Sequence, residues 1–276
     1  MYTVPNLLKE IKARLQPIAG ECSLNEAEII LEHAMHCSRS DLYVIAGRVI
    51  SDDQHHEIDA VVKRRLTHEP LPYILGAVHF HSKEFIVSNA VLIPRPDTEV
   101  LVEKVLEMEP EGPCSFLDVG IGSGAIAESL ADRRPRWVAV GIDISEQALK
   151  IARTNCRDKI GLLCGNLYSA FIRGPLFDFI VSNPPYISEK EMAELDPSVK
   201  GFEPICALYG GKDGLDFYRT LAEKSKDFLK KGGRIYCETG YAQGQTVRAV
   251  FSDNGWKNIL QFPDLAGRPR VVVAQL

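Results

Sequence analysis

The chain has 276 residues, 45% hydrophobic and 25% charged, which is ordinary globular usage and enough length for one large domain with a smaller companion. A formal net charge of -5 weighs against a surface built to neutralise many nucleic-acid phosphates, so no direct DNA binding is expected. No apolar run reaches membrane-span length, MYTVPNLLKE at the start lacks a signal-peptide layout, and the seven cysteines form no CxxC pair. Together these predict a cytoplasmic protein with free thiols, no membrane contact and no metal ribbon.

Residues 1–75 predict a small all-α domain. Apolar residues recur at helical spacing through Leu7, Leu8, Ile11 and Leu15, then Ala27, Ile30, Leu31 and Ala34. SLNE, Ser23 to Glu26, has the form of a capping box, predicting a helix start near Ser23. A further amphipathic helix is expected from His55 to Leu66, with Lys63, Arg64 and Arg65 as a solvated face. Residues 76–93 change character: Phe80, Phe85, Val87, Val91 and Ile93 are β-type, with Ser88-Asn89 as a turn signal. They predict a β-hairpin joining two domains. His79 and His81 flank Phe80 there, but no third ligand accompanies them, so no metal site is expected.

From residue 94 strands and helices alternate. Strands are expected at Ser115 to Val119, Trp137 to Asp143, Phe177 to Ser182, Arg234 to Glu238 and Arg270 to Ala274. Helices are expected at Ala125 to Arg134, Glu146 to Cys156, Leu215 to Leu229 and around Val247 to Phe251. Cys237 falls inside a strand and is expected to be a small buried residue. The fold class is α/β, an open and mostly parallel sheet over residues 94–276 with helices on both faces.

Two stretches carry chemistry. DVGIGSGA, Asp118 to Ala125, lies between a strand and a helix, where open sheets bind ligands. Asp143 ends the next strand, where a carboxylate can accept hydrogen bonds from ribose hydroxyls. Gly120, Gly122 and Ala125 also satisfy a nicotinamide fingerprint. Gly124 and the carboxylate of Asp118 favour S-adenosylmethionine instead, because it carries an ammonium group and no pyrophosphate.

The second stretch is VSNPPYI, Val181 to Ile187, following the apolar run FDFI. Two prolines stop the strand and stiffen its end, and Pro184 also restricts Asn183. An amide or exocyclic amino nitrogen is a poor nucleophile because its lone pair is delocalised. The Asn183 side-chain oxygen and the Pro184 carbonyl can each accept one N–H and aim that nitrogen at a methyl donor. Good orientation recovers roughly 7–11 kcal/mol of barrier. Tyr186 is expected to stack on the flat substrate group or border a cationic sulfonium.

Five further blocks narrow the nitrogen. They are EPLPYILG from Glu69, VLIPRPDTE from Val91, FEP from Phe202, ALYGGKDGLDFYR from Ala207 and LAGRPR from Leu265. With NPPY they resemble the release-factor glutamine methyltransferases, the HemK/PrmC family of bacteria and organelles, from about Glu69 to the C-terminus. The resemblance implies a Rossmann-like, class I S-adenosylmethionine-dependent methyltransferase domain. It implies methyl transfer to the glutamine of the GGQ motif in class I peptide chain release factors, with S-adenosylhomocysteine as product. Asp118, Gly120, Ile121, Gly122, Ser123, Gly124, Asp143, Ile144, Asn166, Leu167 and Asn183 would hold the donor. Asn183, Pro184, Pro185 and Tyr186 would hold the glutamine and carry catalysis. The helical domain would contact the release factor, and the enzyme is expected to be a monomer. The alternatives are an adenine-amino or ribosomal-protein methyltransferase, a nicotinamide oxidoreductase, and a non-catalytic translation-factor-binding module.

Overall fold

The computed structural model describes residues 2–44, 47, 49–157 and 159–276. The chain divides into two compact units, Met1–Gly76 with Asp196–Phe202, and Ala77–Leu195 with Glu203–Leu276.

The first unit is helical: α1 Val4–Ala19, α2 Ser23–Met35, α3 Arg39–Val44, α4 Asp52–Arg65 and α5 Leu71–Leu75. Val4, Leu7, Ile11 and Leu15 fall three or four residues apart on α1, so one stripe is buried against Ala27, Ile30 and Leu31 of α2. The capping box expected at Ser23 does not form. A 3-10 turn, Gly20–Cys22, runs straight into α2, so the Ser23 hydroxyl donates to Gln16 Oε1 at 2.9 Å instead. Glu26 is taken by Arg65, whose Nε and Nη2 lie 2.8 and 3.0 Å from its carboxylate. Arg65 is therefore buried while Lys63 and Arg64 are exposed; the basic run is solvated at two positions of three. True capping boxes sit at Ser51 with Gln54, opening α4, and at Ser188 with Glu191.

The second unit opens with a hairpin, β1 Ala77–Phe80 and β2 Lys83–Ile86, antiparallel. Its turn is His81-Ser82, with φ of 47° and 63°, rather than Ser88-Asn89. Two consecutive positive φ values are what a two-residue hairpin turn needs to follow strand twist. Ser88 instead closes a later turn with Val91, and Val87, Val91 and Ile93 are buried as coil.

Then follow α6 Glu99–Met108, β3 Ser115–Val119, α7 Ala125–Arg133, β4 Val138–Asp143, α8 Glu146–Cys156, β5 Gly161–Cys164 and β6 Phe177–Ser182. After the short helix α9 Glu189–Glu194, and α10 Pro197–Lys200, which belongs to the first unit, come α11 Asp216–Lys224, β7 Leu229–Glu238, α12 Gly244–Asp253, β8 Lys257–Pro263 and β9 Pro269–Gln275. The seven-stranded sheet has the order β5-β4-β3-β6-β7-β9-β8. Pairs from β5 to β7 are parallel, and β9 is antiparallel to both β7 and β8.

Side-chain alternation sends Phe116 and Phe179 to one face, where they stack at 4.9 Å against α6, α7 and α8. Leu117 and Ile180 go to the other, against α11 and α12. Both faces of the central strands are covered, so these strands read as near-continuous apolar runs. The expected helix 215–229 is shorter, because Leu229 already pairs with Phe177 and begins β7.

Candidate active site

The carboxyl ends of β3, β4 and β6 open into a cavity of about 750 Å³, within the ordinary range for a small-molecule site. Gly120, Ile121, Gly122, Ser123, Asp143, Ile144, Asn166, Leu167, Asn183 and Pro185 all line it. Asp118, Gly124, Pro184 and Tyr186 do not.

The loop after β3 is held by its own neighbourhood. Gly120 and Ile121 N–H donate to the Ile142 carbonyl at 2.9 and 3.1 Å. Asp143 Oδ2 accepts from Gly122 N–H and Oδ1 from Ser145 N–H, both at 2.9 Å. A carboxylate has about four lone-pair sites, so two remain for a ligand's hydroxyls. Gly124 lies behind the loop at φ 84°, and a Cβ there would come 2.6 Å from Cys156 Sγ. Glycine lets α7 start against α8 at that point.

Asp118 shares the Phe116 side of β3 and is wholly buried beneath α7, with neither carboxylate oxygen in a hydrogen bond. Burial pushes its pKa up to about 8; the nearby Ala127 N–H holds it down a little and the Asp143 charge raises it further. Leu167 sits at φ 53°, a left-handed conformation that costs a branched residue energy and marks functional loops.

The loop after β6 is held from afar. Ser182 Oγ donates to the Val119 carbonyl at 2.7 Å, locking the ends of β6 and β3 together. Asn183 Nδ2 donates to Thr98 Oγ1 at 3.3 Å, and Thr98 Oγ1 donates to Glu238 Oε2 at 2.5 Å. Among the described residues no hydrogen bond engages Asn183 Oδ1 or the Pro184 carbonyl. Tyr186 is half-buried against the α11 and α12 core, with its carbonyl accepting from Gln243 Nε2 at 2.8 Å. Burial pushes its phenol up to about 12. At Gly214, where φ is 76°, a Cβ would lie 2.3 Å from the Tyr186 carbonyl oxygen, so the GGKDG loop packs backbone to backbone against NPPY.

The family description "PrmC N-terminal domain" matches residues 6–76, and "Methyltransferase small domain" matches residues 95–196. The release factor glutamine methyltransferase of Koribacter versatilis is 42% identical over 253 residues, spanning 90% of each chain. The chain belongs to the release factor glutamine methyltransferase family. Another relative of that name, from Geobacter sulfurreducens, is 36% identical over 275 residues, covering 99% of this chain and 96% of the other. A methyltransferase structure from Pyrococcus furiosus shares the fold at 16% identity and a TM-score of 0.50, covering 80% of this chain and 98% of the other.

As a member of this family the chain is an S-adenosylmethionine-dependent methyltransferase, which ends the nicotinamide reading of the glycine loop. Three of the blocks that carried the resemblance, VLIPRPDTE, FEP and ALYGGKDGLDFYR, put residues on the cavity wall. Arg95 of IPRP pairs with buried Glu203 of FEP, whose second oxygen accepts from Ile93 N–H at 3.4 Å. Arg270 of GRPR pairs with Asp97 at 2.8 Å and with Asp264 at 3.3 Å. Thr98, Glu238 and Gln243 were not expected at the site. Thr98 lies inside VLIPRPDTE, but nothing in its spacing says that its hydroxyl meets a residue 85 positions away. Among the described residues no cluster suits a metal ion: His79 is exposed and His81 Nε2 lies 2.7 Å from Glu103. No helix among them is long and apolar enough to cross a membrane.

Proposed function

We propose that this methyltransferase transfers a methyl group from S-adenosylmethionine to the side-chain amide nitrogen of the glutamine in the GGQ motif of class I peptide chain release factors, and so modulates translation termination. The observation that carries the reading is Asn183, at the end of β6 on the wall of the same cavity as the glycine loop.

The residues present fit the donor. Asp143 keeps lone pairs for ribose hydroxyls after binding Gly122 and Ser145. Ile144 and Leu167 offer apolar surface beside it, with Asn166 next in the wall. Asp118 lies beneath the glycine loop and off the cavity wall, so it does not touch the donor; burial favours its protonated form, and an ammonium group nearby would favour the charged one. When bound, the donor supplies an electrophilic methyl group on a sulfonium.

Asn183 Oδ1 and the Pro184 carbonyl each accept one N–H of the glutamine amide. Held by both, the nitrogen would be turned towards the donor's methyl group; the methylated amide then gives up one N–H proton to water, and positioning replaces a strong base. Pro184 and Pro185 keep the acceptors rigid, while Tyr186 anchors the loop to the core. The helical unit supplies the contact with the release factor. The cytoplasm is the compartment in which release factors are met.

Radiolabelled methyl transfer onto a release factor, and onto its GGA variant, tests this. Label is expected on the first and none on the second. Equal label on both would place the acceptor elsewhere.

A further inference from the structure

Asn183 can serve as an acceptor only if its amide faces the right way, because the same side chain turned over presents two N–H donors to the cavity. What decides the orientation is the partner of its amide nitrogen. Thr98 Oγ1 stands between Asn183 Nδ2, at 3.3 Å, and Glu238 Oε2, at 2.5 Å. Thr98 has one proton to give, and an ionised carboxylate can only accept. Its proton therefore goes to Glu238, and its lone pair is left to receive Asn183 Nδ2.

We propose that Thr98 and Glu238 are positioning residues for methyl transfer: their relay fixes the polarity of Asn183, holding Oδ1 towards the substrate amide. The proposal rests on the reading of Asn183 as the amide's acceptor. It adds a condition to that reading, since a protonated Glu238 can give its own hydrogen to Thr98. The freed Thr98 hydroxyl then donates to Asn183 Oδ1, the amide turns over, and Nδ2 meets the substrate N–H donor to donor.

The surroundings keep that titration within reach. Glu238 and Thr98 are both buried, at 1% and 4% exposure. The charged and titratable groups facing Glu238 are Arg270 from β9, Asp97 and Arg95 ahead of α6, Tyr186 from the NPPY loop and Tyr218 from α11. Arg270 pairs with Asp97 and Asp264, and Arg95 with Glu203, so neither guanidinium is bonded to Glu238. Burial accordingly pushes Glu238 up to about 7, with the Thr98 bond and Arg270 pulling against it.

The test compares Thr98→Val, Thr98→Ser and Glu238→Gln with Asn183→Ala, using a release factor as acceptor and measuring kcat, KM and binding of S-adenosylmethionine. Thr98→Val should lower kcat by about 10²-fold, the scale of a misplaced reacting group, with donor affinity unchanged. Thr98→Ser keeps the hydroxyl and should restore kcat. In the parent enzyme kcat should rise between about pH 6 and about pH 8, because the acceptor orientation needs ionised Glu238, and Glu238→Gln should abolish that rise. If Thr98→Val does not fold, the Thr98→Ser activity and the two pH profiles decide the matter. An inactive Asn183→Ala beside a fully active Thr98→Val with an unchanged pH rise overturns the relay and leaves the acceptor reading standing. An active Asn183→Ala overturns both.

Discussion

Two loops leave the carboxyl ends of neighbouring strands in one sheet, and they are built in opposite ways. The glycine loop after β3 is fastened by residues close in sequence: Asp143 reaches back 21 positions to Gly122 and forward two to Ser145. The NPPY loop after β6 is fastened by Thr98, 85 positions earlier, and by Gln243, 57 positions later. The donor-binding loop is fastened within one strand–helix–strand unit, whereas the acceptor-binding loop depends on segments distant in sequence. Division of labour follows: the first loop should govern donor affinity, and the second should govern turnover.

That division can be broken by substitution. Asn183→Ala should cost about 10²–10³-fold in kcat, the effect of deleting one preorganised polar group at a reacting centre. Donor affinity should be preserved, and a parallel loss of S-adenosylmethionine binding in a titration would contradict the separation. Gly214→Ala attacks the second loop from behind. Its Cβ meets the Tyr186 carbonyl at 2.3 Å and its φ of 76° is unfavourable for alanine, so NPPY must move. An expected loss of about 10²-fold in kcat, with binding retained, is checked by steady-state kinetics beside calorimetry.

Asp143→Ala addresses the first loop. Its carboxylate holds the loop's backbone and is proposed to hold the ribose, so donor affinity should fall by about 1.5–3 kcal/mol. Saturating donor should then recover most of kcat; a kcat that stays low at saturation would show that the two loops are coupled. The last effect is on stability and not on the reaction. Asp118 and Glu238 are buried carboxyls raised from 3.8 to about 8 and from 4.5 to about 7. Between those limits the folded chain binds more protons than the unfolded one, so stability falls as pH rises. The contribution is whole below the unfolded values and gone above the folded ones. Thermal unfolding of the free protein should therefore occur at a lower temperature at about pH 8.5 than at about pH 6, and Asp118→Asn should flatten the trend.

Legibility followed the same line as the two loops. Strand β3 begins and ends at Ser115 and Val119 as its apolar run suggests, because both faces of a central strand are covered. Strands β5 and β8 went unseen. They are the two edges of the sheet, half-exposed and with no strong apolar pattern. The hairpin was legible as an element while its turn was misplaced. His81 and Ser82 adopt positive φ without glycine or asparagine to announce it. At the N-terminal unit, SLNE met the pattern of a capping box, yet Ser23 was claimed by Gln16 and Glu26 by Arg65. A tertiary partner won over a local one in each case.

The sequence by itself determined the α/β class, the donor loop with Asp143 and the NPPY strand end, since each is a local pattern of spacing and residue type. It also carried the family, through blocks whose purpose it did not disclose. Only the tertiary structure decided that IPRPDTE, FEP and GGKDG share one cavity, that Arg270 of GRPR pairs with Asp97 beside it, and that Asp118 lies beneath the loop and off its surface. It alone linked Asn183 to Thr98, also on the cavity wall, and through it to the buried Glu238. The physical reason is that hydrogen bonds and ion pairs between distant segments depend on which strands become neighbours. That order is fixed by burial of the whole sheet, not by any stretch of residues within it.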